Sequence, residues 1–307
     1  MSSEISYRLA GEDDLSAMRL IQSKALYDLA VTRSGREPAA VPITDEPSPE
    51  MRHLLQTDPK LAWLALHDGR PIGFCAGFVR FELWFLSDLF VLPEAYGKGI
   101  GGELLRRCIA GGVELGTRIR AVASSPDLSA QKLYIGAGMV PRFPLYSLGG
   151  EAHRLRKLTS AAVEVHKIDE SKTWLLKLGD LDERVWGRRR DRDHGYWLGE
   201  AGLNCIGIME RGSLAAYAYF AAEGESRRIG PVAASRPRQQ LSLLRAIGEA
   251  LGDTQNVGVE FRIPGINMIA LSALLKVGMR IDHAGYYMAS QAFGRFDRYL
   301  PSGGTLL

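Results

Sequence analysis

Four glycines crowd six residues, Gly97-Lys98-Gly99-Ile100-Gly101-Gly102, between an apolar run and a helical pattern. Glycine lets a chain turn tightly and leaves its main-chain N–H groups uncovered. A helix starting there adds unpaired N–H groups and the positive end of its dipole. Such a turn is an anion site, most naturally for a pyrophosphate. Just upstream, Asp88 stands inside the run Leu83 to Leu92. Aspartate is disfavoured in a strand interior, so its presence points to a role. Acid–base chemistry and a structural hydrogen bond to the neighbouring turn both fit.

Two nucleotide motifs fail on the same residues. The P-loop string GxxxxGK followed by Ser or Thr is absent. Gly97, Gly99 and Gly102 have the spacing of the dinucleotide fingerprint, but that motif needs an acidic residue ending the next strand. Here the next strand, Arg118 to Ala123, leads into Ser124 and Ser125.

The stretch resembles motif A of the GNAT superfamily of acyl-CoA-dependent N-acyltransferases: Arg or Gln, two residues, Gly, one residue, Gly or Ala, on a strand–turn–helix. Gly99 and Gly101 fill the small positions, and Tyr96 replaces the Arg or Gln. A second family pattern, Asn-x-x-Ala-x-x-Leu-Tyr and then a glycine before an apolar residue, is met by Asp127, Ala130, Leu133-Tyr134 and Gly138-Met139. The resemblance implies an α/β (α+β) fold, each domain a mixed, mostly antiparallel sheet with a splayed central strand pair and flanking helices. It implies acetyl-CoA as co-substrate, with no metal. The pyrophosphate would lie on the Tyr96-Gly97-Lys98-Gly99-Ile100-Gly101-Gly102 turn, the pantetheine amides would pair with Phe90 and Val91, and Asp127 would join the cofactor site. Tyr134 would be the general acid near the sulfur, and Asp88 a base acting through water. The amine would attack the thioester directly in a ternary complex.

These motifs sit in an ordinary soluble composition: 307 residues, 46% apolar, 24% charged. That length suits two domains. A net charge of +3 gives no case for nucleic acid as the main partner. Cys75, Cys108 and Cys205 are scattered and odd in number, fitting buried thiols rather than disulfides or a CxxC metal site. No apolar stretch reaches a membrane span, and the first residues lack a signal-peptide plan. The expectation is a cytoplasmic protein, a monomer or homodimer that binds no membrane.

The elements that must position the motifs follow in order. Ile5 to Leu9 reads as a strand, and Leu15, Met18, Ile21, Ala25 and Leu29 as a helix entered through acidic caps. Thr32 to Pro49 carries Pro38, Pro42, Pro47 and Pro49 and reads as a loop, either an acceptor wall or a plain connection. Glu50 to Gln56 is a short helix, and Leu61 to His67 and Pro71 to Val79 form a hairpin through Asp68-Gly69. Lone His53 and His67 take surface or satisfied polar roles. Val140 to Leu148 would close a first domain, residues 1–150.

A second domain, residues 163–307, repeats the first. Gly278-Met279 lies 140 residues after Gly138-Met139, and the same offset relates Asn267 to Asp127, Ala270 to Ala130 and Leu274 to Tyr134. Its turn is degenerate: Ser235-Arg-Pro-Arg-Gln-Gln240 has no glycine, and Pro237 has no N–H. This half is expected not to bind acyl-CoA in the family manner. The run Arg188, Arg189, Arg190 and Arg192 reads as a solvated helix end, with a phosphate contact as the alternative. The closing Asp297 to Gly304 resembles other tandem GNAT chain ends, against a frayed terminus. The expected function is acetyl transfer to a primary amine of a small molecule. A non-catalytic acyl-CoA sensor, or a tandem enzyme with its chemistry in the second half, stays open.

Overall fold

The structure is a computed structural model describing residues 4–32, 41–224, 226–252 and 257–307. Pro38 of the proline-rich loop lies outside the described residues. The chain divides between Val122 and Ala123 into two compact units.

In the first unit, β1 (Ile5–Leu9) is followed by α1 (Leu15–Tyr27) and α2 (Pro49–Thr57). Arg8 donates to Asp14 at 2.6 and 2.7 Å, and Asp14 also accepts the Gly11 N–H at 2.9 Å. The acidic corner is thus a cap. α1 buries Leu15, Met18, Ile21 and Ala25, as its spacing predicts. α2 opens on Ser48, whose hydroxyl accepts the Met51 N–H, with Pro49 in the first turn, where a missing N–H costs nothing. β2 (Ala62–His67) and β3 (Arg70–Arg80) pair antiparallel. Their turn residues Asp68 and Gly69 have φ of 48° and 79°, the geometry whose twist matches a two-residue hairpin. β4 (Leu83–Val91), α3 (Ile100–Glu114) and β5 (Ile119–Ser124) complete the strand order β1-β2-β3-β4-β5. Pairing is antiparallel except between β4 and β5, which run parallel over Leu83–Leu86 and Ile119–Val122.

The second unit takes α4 (Leu128–Gly136) and β6 (Val140–Glu151), then starts the pattern again. β7 (His166–Ile168), α5 (Lys172–Val185), α6 (Asp191–Leu198), β8 (Asn204–Glu210), β9 (Ser213–Phe220), β10 (Ser226–Ala234), α7 (Pro237–Ala250), β11 (Gly258–Pro264), α8 (Met268–Lys276) and β12 (Arg280–Ala289) follow. Strand, two helices, three strands, helix, strand, helix, strand: the order of residues 5–151 recurs over residues 166–289. The fold is α/β with mixed sheets, built twice.

The repeat holds at single residues. Asp127 Oδ1 accepts the Ala130 N–H at 2.8 Å, and Asn267 Oδ1 accepts the Ala270 N–H at 3.3 Å. Each is the N-cap of its helix. At the other ends, the Met139 N–H reaches the Tyr134 carbonyl at 2.9 Å and the Met279 N–H the Leu274 carbonyl at 3.0 Å.

β6 forms one strand that pairs antiparallel with β11 and β12. The partners of Val140 to Leu148 are therefore strands of the sequence's second half. Its Leu148 joins Leu243, Leu244, Ile247, Phe261, Ile263 and Leu274 in the second unit's core. All three cysteines are buried and free. No helix among the described residues is long and apolar enough to cross a membrane.

Candidate active site

β4 carries an irregularity at Asp88. Its register to β3 runs Ala76↔Asp88 and then Gly77↔Leu86, leaving Ser87 as the extra residue of a bulge. Bulges bend a strand and re-aim its side chains. Pairing with β5 stops at Leu86, while β4 runs on to Val91 beside β3, with Phe74↔Phe90 and Gly73↔Val91. The central pair is splayed from the bulge onward. Phe90 and Val91 are half-buried on that stretch, and the Phe90 ring leans on Phe74 at 5.8 Å.

The chain leaves β4 through a single tight helical turn, Pro93–Ala95. Gly97 and Gly99 have φ of 78° and 76°, a region that side chains rarely tolerate, and nothing lies within 4 Å of where a Cβ would stand. The first bond of α3 runs from the Glu103 N–H to the Gly99 carbonyl at 3.2 Å. The N–H groups of Ile100, Gly101 and Gly102 precede it and have no intrahelical acceptor. Ile100, Leu104, Leu105 and Cys108 are buried and anchor the helix, so Ile100 can serve a ligand only through its main chain. Tyr96 and Lys98 are exposed beside the turn. Glu103, the acid in the first turn at this electropositive end, accepts hydrogen bonds from Arg106 and Arg107, each at 2.8 Å. The Arg106 hydrogen bond holds its carboxyl down at about 2. The turn is an open cradle of amides with its one neighbouring carboxylate already paired.

Asp88 is 4% exposed. Gln22 Nε2 on α1 donates to its Oδ1 at 2.8 Å, and Arg19 in turn donates to Gln22 Oε1 at 2.5 Å. Oδ2 is buried with no hydrogen-bond partner. Burial pushes the carboxyl up to about 6, against the Gln22 hydrogen bond, with Glu50 of α2 adding to the rise and Arg19 opposing it. A buried acceptor left open is uncommon, because it forfeits its solvation without compensation. Gln22 and Arg19 escaped the sequence reading. The signal was there: Gln22 is a polar residue beside Ile21 and Ala25 on the buried side of α1.

The remaining predicted residues lie in the second unit. Asp127 is engaged as the N-cap of α4, and Tyr134 sits one residue before the last turn closes, only 6% exposed. Asp88, Phe90, Val91 and the Tyr96–Gly102 turn share one strand–turn–helix, whereas Asp127 and Tyr134 share α4. Among the described residues no group of three His, Cys, Asp or Glu is placed to hold a metal ion.

The second half differs at the equivalent place. β10 pairs parallel with β11 over Ser226–Arg228 and then splays, as β4 does from β5. Past the splay, Val232 and Ala233 pair with Leu300 and Tyr299 of a short strand, β13 (Tyr299–Leu300). The chain's own tail fills the edge that β4 leaves free. Gly230 permits the approach: a Cβ there would collide with the Pro301 carbonyl oxygen. Tyr299, Leu300, Leu306 and Leu307 are buried, which rules out the alternative of a frayed terminus.

Within the arginine run Arg192 is exposed on the first turn of α6, and the reading is corrected at Arg190. Arg190 is 1% exposed and donates to Asp182 at 2.7 Å, the Tyr299 hydroxyl at 2.7 Å and the Tyr217 hydroxyl at 3.1 Å. His194 stands between Asp182 at 3.0 Å and the Tyr219 hydroxyl at 2.9 Å. Arg189 pairs with Asp180 and Asp191. A buried guanidinium demands several partners at once, and here they come from α5, β9 and β13. It is neither a solvated helix end nor a phosphate contact.

Residues 25–139 match the acetyltransferase (GNAT) family. No curated protein sequence matches the chain. Among solved structures, a proposed acetyltransferase of Pyrococcus horikoshii superposes with a TM-score of 0.74 at 16% identity, covering 99% of this chain and 96% of that one. A GCN5-related N-acetyltransferase of Sphaerobacter thermophilus gives 0.61 at 16% identity, with 93% and 95% covered. A tandem GNAT protein of the clavulanic acid biosynthesis pathway gives 0.61 at 13%, with 94% and 99% covered. At these identities the likeness is one of fold.

Proposed function

We propose, from the premise that residues 25–139 are a domain of the acetyltransferase (GNAT) family, that the chain moves an acetyl group from acetyl-CoA to a primary amine of a small molecule. We read it as two GNAT-like domains, 1–150 and 163–307, with the chemistry belonging to the first. The observation that carries the reading is Asp88: a buried carboxyl with one oxygen held by Gln22 and the other open, on the strand that feeds the glycine turn.

In this reading the amides of Gly97 to Gly102 hold the pyrophosphate, flanked by Tyr96 and Lys98. Phe90 and Val91 offer their free strand edge to the pantetheine amides. The fit rests on the uncovered turn and the splay of β4. Asp127 contributes by fixing the start of α4, which carries Tyr134. The amine nitrogen bonds to the thioester carbonyl carbon as the C–S bond breaks. Asp88, ionised above pH about 6, takes the amine's proton through water, and the Tyr134 hydroxyl gives its proton to the departing thiolate. The products are the amide and the free thiol. The tail strand against β10 favours a single acyl-CoA cleft per chain over chemistry in the second half.

Thiol release from acetyl-CoA across a panel of small primary amines tests the function. Release with at least one amine is expected. CoA binding without release for any amine would leave a sensor. Tyr134→Phe separates the two as well: kcat should fall about 10²-fold, the scale of a lost general acid, with CoA affinity unchanged.

A further inference from the structure

The second unit carries an open cavity of about 790 Å³ that the acetyl-transfer reading does not use. Its walls are α7, α8 and the short helix Ala152–Lys157 with the residues after it. Every charged side chain lining it is a cation: Arg154, Lys157, Arg238 and Lys276. Lys157, Arg238 and Lys276 form no ion pair among the described residues, and Arg154 has Glu151 alone, at 3.3 Å. Gly278 makes room for that guanidinium, since a Cβ there would collide with Arg154 Nη1. Thr159 and Ser272 add hydroxyls.

Between the cations the surface is apolar. Leu241 of α7 lines it together with Met268 and Ile269 of α8, which are 60% and 39% exposed. The walls are fixed to each other: buried Asn267 donates to buried Gln240 at 2.8 Å, tying the start of α8 to α7. α8 buries Ala270, Leu271 and Leu274 in the core, so Met268, Ile269, Ser272 and Lys276 form its other side. The cavity is therefore not the β10 edge that β13 fills.

Like charges gathered without carboxylates raise the local potential and attract anions. Guanidinium forks suit phosphate oxygens, and lysines add point charge. The volume lies in the range of small-molecule sites. We propose that this groove binds a phosphorylated small molecule of nucleotide size, its phosphates on Arg154, Lys157, Arg238 and Lys276 and its apolar part on Leu241, Met268 and Ile269.

The test uses the full chain labelled with ¹³C at its methionine methyls, with Met268 assigned by Met268→Leu. Titration with adenosine 3′,5′-bisphosphate should move the Met268 resonance to saturation, a readout blind to binding at the Gly97–Gly102 turn. Arg238→Glu with Lys276→Glu, both at exposed positions, should weaken that binding at least about tenfold by removing two phosphate partners. The buried Met279 and Met288 resonances report that the fold persists. Inorganic phosphate should bind more weakly than the bisphosphate by about tenfold or more. A Met268 resonance unmoved up to about 10 mM, a shift indifferent to the charge reversals, or inorganic phosphate binding as tightly as the bisphosphate would each overturn the proposal.

Discussion

In the role proposed for it, Asp88 sets stability against chemistry at a single residue. Its carboxyl is raised from 3.8 to about 6, chiefly by burial. Between those values the folded chain keeps a proton that the unfolded chain has released, so stability falls as pH rises through that window. Asp88→Asn should remove this dependence and gain up to roughly 3 kcal/mol at neutral pH, read as the difference between denaturation at pH 4 and pH 7. The same substitution should lower kcat by about 10²- to 10⁴-fold and abolish the acidic limb near pH 6 in kcat/KM. Unchanged kcat would make Asp88 a structural hydrogen-bond acceptor for Gln22. Its place in the strand was legible in the sequence; its titration was not, because Gln22, Arg19 and Glu50 come from two helices far off in the chain.

At the scale of elements, the strand–turn–helix works because its parts have different burial. α3 is pinned by Ile100, Leu104 and Leu105 while Gly97 and Gly99 stay open. Gly99→Ala should cost about 1–2 kcal/mol for its left-handed backbone, and should raise the KM for acetyl-CoA with little change in kcat. An equal loss in kcat would place the turn in the chemical step. β4 and β10 offer a direct comparison. Amide exchange in β4 beyond Leu86 should slow when CoA is added, whereas Val232 and Ala233, already paired with β13, should be slow without it. Equal behaviour of both strands would remove the distinction between an open and a filled edge.

At the scale of the molecule, the chain repeats one plan and diverges at the ends of the central strands. In the second unit the tail is held by charge as well as by strand pairing. Arg190 and His194 hold the Asp182 carboxyl down at about 2 although burial opposes them. That contribution is present above about pH 4 and is lost as pH falls toward 2. Arg190→Leu would leave the buried Asp182 without its guanidinium partner, facing only His194 and the Tyr217 hydroxyl, and should destabilise the protein by about 3–5 kcal/mol in equilibrium denaturation. A change under 1 kcal/mol would show that the cluster is not a clamp on Tyr299 and the tail.

Sequence by itself determined the local features. Helical spacing placed α1 and α3, Asp68-Gly69 turned the hairpin, glycines opened the helix N-terminus, and Asp127 and Asn267 capped matching helices across the repeat. Each of these depends on side chains a few residues apart, so period and turn chemistry suffice to read them. Tertiary structure alone decided that β6 pairs with β11 and β12, that Arg190 lies inside rather than in solvent, and that β13 fills the edge of β10. A strand's composition says that it needs neighbours but not which ones. An arginine is solvated or buried according to whether distant partners such as Tyr217 and Tyr299 converge on it. The bond from Arg190 to Tyr217 spans 27 residues and that to Tyr299 spans 109, and only the folded chain brings such partners within a hydrogen bond's reach.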